Sequence, residues 1–203
     1  MNKQLMQFKI TLNYVSPKVW RRILVPETYT FWDLHCAIQD AVGWAGGHLH
    51  GFTMSEKKLG AYRPISIQMP DPEWDEGNEL DESKELLANW FPKRLKQCTY
   101  TYDFGDSWDH TVLFEKSTPA EKQKYPVCLA GENLCPPEDC GGAGGYDHLL
   151  KTINNPKATE YEELVDWMGL EDGEKYDPTA FHLEEIGFAN PKSELKIYLK
   201  YRE

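Results

Sequence analysis

Two histidines separated by one residue, His48-Leu49-His50, are the first place in this chain where residue type and spacing could do chemistry. On a strand both imidazoles project to one side, roughly 6 to 7 Å apart at the backbone, which suits two ligands of one metal ion. Further ligands would have to come from His110, Asp103, Asp106 and the thiols of Cys128, Cys135 and Cys140. Imidazole and thiolate suit zinc, so zinc is the one cofactor these residue types would favour. The competing reading makes both histidines ordinary polar residues hydrogen-bonded across a sheet. The spacing Cys128-x6-Cys135-x4-Cys140 lacks the paired CxxC knuckles of a zinc ribbon, and buried thiols pinning an irregular loop would explain it equally well.

His110 follows a second candidate cluster, Asp103-Phe104-Gly105-Asp106-Ser107-Trp108-Asp109. A two-residue Gly105-Asp106 turn would put Asp103 on the face of His110, where a carboxylate orients an imidazole for acid-base work. A three-residue turn instead gathers Tyr100, Tyr102, Phe104, Trp108, His110, Val112 and Phe114 on one face and sets Asp103 opposite Asp109. We favour the second register because it collects nearly every aromatic on one side. His110 then sits in an apolar face and needs a polar partner or a ligand. Asp103, Asp106 and His110 are the candidate catalytic groups.

These side chains need a scaffold, and alternation supplies it. Phe8, Ile10 and Leu12 alternate with polar residues, Val19 to Val25 makes a hairpin partner, and Pro26 stops it. Thr30 and Asp33 form a capping box ahead of a helix whose apolar positions are Leu34, Ala37, Ile38, Ala41 and Val42, with Gly43 ending it. Residues 48–54 read as a short strand. Residues 68–82, with Pro70, Pro72, Gly77 and seven acids, read as an exposed loop before a helix from Ser83 to Leu95 that Pro92 splits. The segments 97–103 and 107–116 form the clearest hairpin, and 125–145 reads as an ordered loop. Helical stretches follow at 146–153, 159–168, 179–186 and 193–201. The expected fold is one α+β domain over residues 1–203: a mostly antiparallel sheet with hairpins at about 8–25 and 97–116, packed against helices, and a helical C-terminal region.

Composition narrows the function classes. The 203 residues carry 22 Lys plus Arg against 33 Asp plus Glu, a net charge of −11, so free DNA or RNA is disfavoured as a partner. No apolar run is long enough to span a bilayer, and the first residues lack a signal-peptide core, so a cytoplasmic location with no membrane partner is expected. Five cysteines favour reduced thiols or metal ligands over disulfides. Gly141 to Gly145 has neither GxGxxG order nor a following Lys, which excludes a phosphate loop there. Trp20-Arg21-Arg22 puts two guanidiniums on opposite faces of a strand, each expected to pair with surface acids.

Four segments in this order resemble one family: Ile10-Thr11-Leu12 with Val19-Trp20-Arg21-Arg22, then His48-Leu49-His50-Gly51-Phe52, then Tyr102 to His110, then Cys135-Pro136-Pro137-Glu138-Asp139-Cys140-Gly141-Gly142. Together they are similar to the plasmid pRiA4b ORF-3-like family over roughly residues 5–185. The resemblance implies a compact α+β domain. Some relatives carry a transposon resolvase-like label, yet this chain has no basic helix-turn-helix segment with which a resolvase would hold DNA. Three functions are weighed. A binding or accessory domain for a protein, peptide or small molecule accounts for the aromatic richness and is preferred. A metal-dependent hydrolase would use His48, His50 and His110 as ligands with Asp103 or Asp106 behind them or as general base. A DNA-processing factor conflicts with the charge.

Overall fold

A computed structural model describes residues 4–58, 61–71, 78–171 and 174–201. Its centre is an eight-stranded sheet in the order β5-β4-β3-β6-β7-β1-β2-β8. The strands are β1 (Gln4–Leu12), β2 (Trp20–Pro26), β3 (His50–Lys58), β4 (Ala61–Gln68), β5 (Leu80–Asp81), β6 (Gln97–Tyr102), β7 (Trp108–Pro119) and β8 (Val127–Glu132). All pairings are antiparallel except β4 with β5. The helices are α1 (Phe31–Val42), α2 (Leu87–Trp90), α3 (Gly142–Ile153), α4 (Tyr161–Met168) and α5 (Pro191–Tyr201). The α+β class, the two expected hairpins and the helical C-terminal region are therefore present.

One sheet face carries the core. Phe8, Ile10, Leu12, Phe52, Tyr100, Tyr102, Trp108, Val112 and Phe114 are all buried, and Phe31, Leu34, Ala37, Ile38, Trp90 and Phe91 cover them. Edge-on aromatic pairs such as Phe8 with Phe91 and Phe31 with Phe52, at 5.2 and 5.0 Å, add geometric preference to area burial. The opposite face bears half-buried polar residues, where Glu115 takes two hydrogen bonds from Arg22, at 2.7 and 2.8 Å, and one from Gln7 at 2.6 Å.

The capping box of α1 forms as expected: Thr30 Oγ1 accepts from the Asp33 amide and Asp33 Oδ2 from the Thr30 amide. Gly43 ends the helix in the left-handed region at φ 84°. Ten of the twelve residues of α1 are buried, including the polar His35 and Gln39, because α5 covers the side turned away from the sheet.

Several expectations need correction. The turn between β6 and β7 is five residues, Asp103 to Ser107, with Tyr102 opposite Trp108 and Thr101 opposite Asp109. The expected aromatic face is right in parity, but Phe104 is in the turn and half exposed, and Asp103 does not face Asp109. Asp103 and Ser107 both take positive φ, at 53° and 54°, and Ser107 N–H donates to the Asp103 carbonyl, so the reversal does not rely on Gly105. The 83–95 helix contracts to α2. Residues 127–132 of the expected loop form edge strand β8, and α3 begins four residues early. Of the acidic loop, residues 72–77 lie outside the described residues. Arg21 does not meet a surface acid: it is buried under Phe181 and donates to the carbonyls of Ala41, Trp20 and Glu132.

Candidate functional site

The histidines of the His48-Leu49-His50 segment part company. β3 starts at His50, whose ring turns into the protein, while His48 stays half-exposed in the preceding loop. His50 Nε2 lies 2.9 Å from Oε1 of Glu82, and both side chains are buried. Its other nitrogen faces the His48 carbonyl at 3.5 Å. Flat against this ring lies His35 of α1, with centroids 3.4 Å apart and planes 3° from parallel.

A hydrogen-bonded chain behind His35 fixes its tautomer. Gln39 Nε2–H donates to the Tyr100 hydroxyl oxygen at 2.8 Å, which leaves the phenolic hydrogen for His35 Nδ1 at 2.7 Å. Burial pushes the Tyr100 hydroxyl well above its ordinary range, so it keeps that hydrogen. Burial first, and His50 second, hold His35 well below the usual histidine value, so the ring is neutral at pH 7. A neutral ring accepting at Nδ1 carries its hydrogen on Nε2. That atom has no partner among the described residues and lies beside Gly46.

Above it opens a cleft of about 600 Å3 between α1, residues 44–49 and α5. Trp32, Trp44, Tyr198 and Tyr201 supply its rings, and Asp40 and Glu194 its carboxylates. Gly46 forms part of the lining at φ 74°, a backbone shape that L side chains rarely adopt, and a Cβ there would sit 3.9 Å from His35 Nε2.

The Cys135–Cys140 loop does not line the cleft but braces the residues that do, Trp44 and Ala45. Its Pro136 carbonyl accepts from Trp44 Nε1 at 2.8 Å, and Glu138 accepts from the Tyr102 hydroxyl at 2.6 Å and the Ala45 amide at 2.7 Å. These bonds hold Trp44 against Tyr102, ring centroids 5.2 Å apart. Gly142 lets α3 approach the β6–β7 turn, since a Cβ there would collide with the Asp106 carbonyl oxygen.

The other candidates fall in separate places. His110 packs against Tyr100 and Trp44, with ring centroids 5.4 and 5.5 Å away, and is not among the cleft's lining residues: its Nδ1–H donates to the Trp108 carbonyl at 2.9 Å, and Nε2 is buried with no partner among the described residues. Burial pushes its pKa down to about 4. Asp106 accepts from the Gly141 amide and so fixes the loop to the turn. Cys128 is on β8, Cys135 is in the core and Cys140 is half-buried beside it; all five cysteines are free. Burial raises the thiols of Cys128, Cys135 and Cys140, the last up to about 11, so they are poor thiolate ligands or nucleophiles as placed. Among the described residues, the set of three that could hold a metal ion is His48, Asp103 and Asp139, with ligand atoms within 4.8 Å of one another. His48 Nε2 lies 3.1 Å from Asp139 and its Nδ1 3.7 Å from Asp103. The six metal candidates thus do not assemble as one centre, and of them only His48 joins this set.

Residues 4–185 match the sequence profile described as plasmid pRiA4b ORF-3-like protein. A Sinorhizobium fredii protein, described as uncharacterized protein y4hQ, is 33% identical over 183 residues, covering 90% of this chain and 89% of the relative. A crystal structure of a protein of unknown function, MM3350 from Methanosarcina mazei Go1, superposes with a TM-score of 0.80 at 36% identity, covering 93% of this chain and all of the other. Among the described residues no helix is long and apolar enough to cross a membrane.

Proposed function

The chain belongs to the plasmid pRiA4b ORF-3-like family, and from the architecture of its cleft we propose that it is a ligand-binding domain for a small, partly aromatic molecule. The observation that carries this reading is His35 Nε2, which has no hydrogen-bond partner among the described residues and belongs to a residue lining a ring-bearing cleft. Sites for small molecules are concavities of this size, mostly apolar, with a few polar groups aimed inward. The exposed apolar residues around the opening, Leu49, Ile197 and Tyr201, are 50%, 51% and 86% accessible and would be covered by an occupant.

A ligand-observed NMR screen with a mixed fragment library tests the proposal. Hits should perturb the Trp32 and Trp44 indole resonances and the amides of Gly46 and Gly47, and Ile197→Trp, which fills the cleft from α5, should abolish them. Hits that leave these resonances unmoved, or survive the plug, would overturn it.

A second reading follows from His48, Asp103 and Asp139. One imidazole and two carboxylates at this spacing suit a divalent cation with open positions, which could activate water for hydrolysis. Elemental analysis of protein purified without chelator decides it: near one metal per chain favours a metal centre, and far less counts against it. The DNA-processing reading has no support from the net charge of −11.

A further inference from the structure

The charge of the cleft selects the class of its ligand, an inference that rests on the binding reading above. Among the described residues its lining holds two carboxylates, Asp40 and Glu194, and no Lys or Arg. The neutral His35 adds no positive charge, and burial keeps the Cys36 thiol protonated. Asp40 is pushed up by burial and further by Glu194, against a pull downward from the Ala189 amide that donates to it at 2.9 Å. The two carboxylates therefore feel one another, and a cation between them would relieve the repulsion.

Rings complete the pattern. Trp32 and Trp44 line the cleft, and Tyr198 and Tyr201 come to it from α5; indole and phenol faces attract a positive group that has shed part of its water. A metal ion would instead demand several converging oxygen ligands, and Asp40 and Glu194 belong to no such set among the described residues. Asp40 follows His35 by five positions on α1, about 7.5 Å along the helix axis. At one end the site thus offers negative charge, and at the other a hydrogen-bond donor.

We infer that the cleft takes a small organic cation, an amine or ammonium on an aromatic body, with a carbonyl or hydroxyl oxygen placed to accept from His35 Nε2–H. The protein's overall negative charge raises the local concentration of such a molecule.

Four probes that share a phenyl body separate the possibilities: 2-amino-1-phenylethanol, 2-phenylethylamine, 2-phenylethanol and phenylacetate, titrated into the full chain with cleft amides and indoles followed by NMR. Affinity should fall in that order, with phenylacetate silent at about 1 mM. Asp40→Asn, which can still accept from Ala189, and Glu194→Gln should each weaken the two amines about tenfold and leave 2-phenylethanol unchanged. If 2-phenylethanol or phenylacetate binds the cleft as tightly as the amines, the ligand class is wrong while the binding site stands. If none of the four moves a cleft resonance, the binding reading falls and takes this inference with it.

Discussion

The imidazole of His35 lies flat on that of His50, 3.4 Å between centroids, and only His50 is tied to an acid. One ring of the stack is thus anchored from below by Glu82, and the other is held from the side by Tyr100. Position and tautomer of the His35 nitrogen depend on both anchors, and the four residues concerned, His35, His50, Glu82 and Tyr100, come from separate parts of the chain.

Removing half of the lower anchor should be costly. His50→Ala leaves the fully buried Glu82 carboxyl without its side-chain partner and should lower stability by about 3–5 kcal/mol in urea unfolding. The double change His50→Phe with Glu82→Met removes both polar groups and should recover most of that loss. Equal losses in the single and double variants would show that packing, not the pair, is what matters.

Acid should destabilise the protein well before its carboxylates protonate. Folding holds His110 down at about 4 from an ordinary value of 6.5, so the unfolded chain takes up the proton first. This stability is complete above pH 6.5 and is lost as pH falls toward 4, about 3 kcal/mol in all. His35, also pushed down, acts in the same direction. His110→Phe should flatten this limb of a stability-against-pH curve, and the His110 ring should keep its neutral NMR shift at pH 5.

A lower window belongs to the open sheet face. Arg22 and, less strongly, Gln7 hold the Glu115 carboxyl down at about 2, so its contribution is present above pH 4.5 and fades between there and pH 2. A double-mutant cycle with Arg22→Met and Glu115→Gln should give a coupling of about 1 kcal/mol, at the upper end for a half-exposed pair because the contact is two-pronged.

Manganese should find His48 if the second reading holds. Paramagnetic broadening would be confined to residues around His48, Asp103 and Asp139, and His48→Ala should remove it. Broadening spread over the acidic surface, or unchanged in the variant, would reduce the set to loop side chains that hold no ion.

Ending the chain after Phe188 removes α5 and should leave the sheet cooperative, since the main core draws no residue from that helix. Trp32, which packs with Leu195 and Tyr198 and donates to the Pro191 carbonyl, would be uncovered. We expect red-shifted tryptophan emission and a loss of about 2–3 kcal/mol, with an unchanged far-ultraviolet circular dichroism signature of strands. Loss of cooperative unfolding would place α5 in the core.

What could be read from sequence was local. Thr30, Asp33 and Gly43 mark the ends of α1 by capping chemistry, and Tyr100, Tyr102, Trp108 and Phe114 share a face because strand side chains alternate. The register slipped by two because Asp103 and Ser107, not Gly105, take the left-handed backbone. β8 was hidden because a half-buried edge strand among Gly and Pro has little periodicity. The site escaped for another reason: His35, His50, Glu82 and Tyr100 come from α1, β3, the residue after β5, and β6, and no spacing along the chain encodes their meeting. One local signal existed, a His and a Gln four residues apart on a helix otherwise apolar nearly all round.

The strand order places β1 between β2 and β7, so the first strand made waits for a neighbour about a hundred residues later. During synthesis the β1–β2 hairpin and α1 must therefore persist with a bare strand edge, open to mispairing, until the second half of the chain emerges. Such distant closure favours slow folding and leaves the N-terminal half with no stable existence of its own.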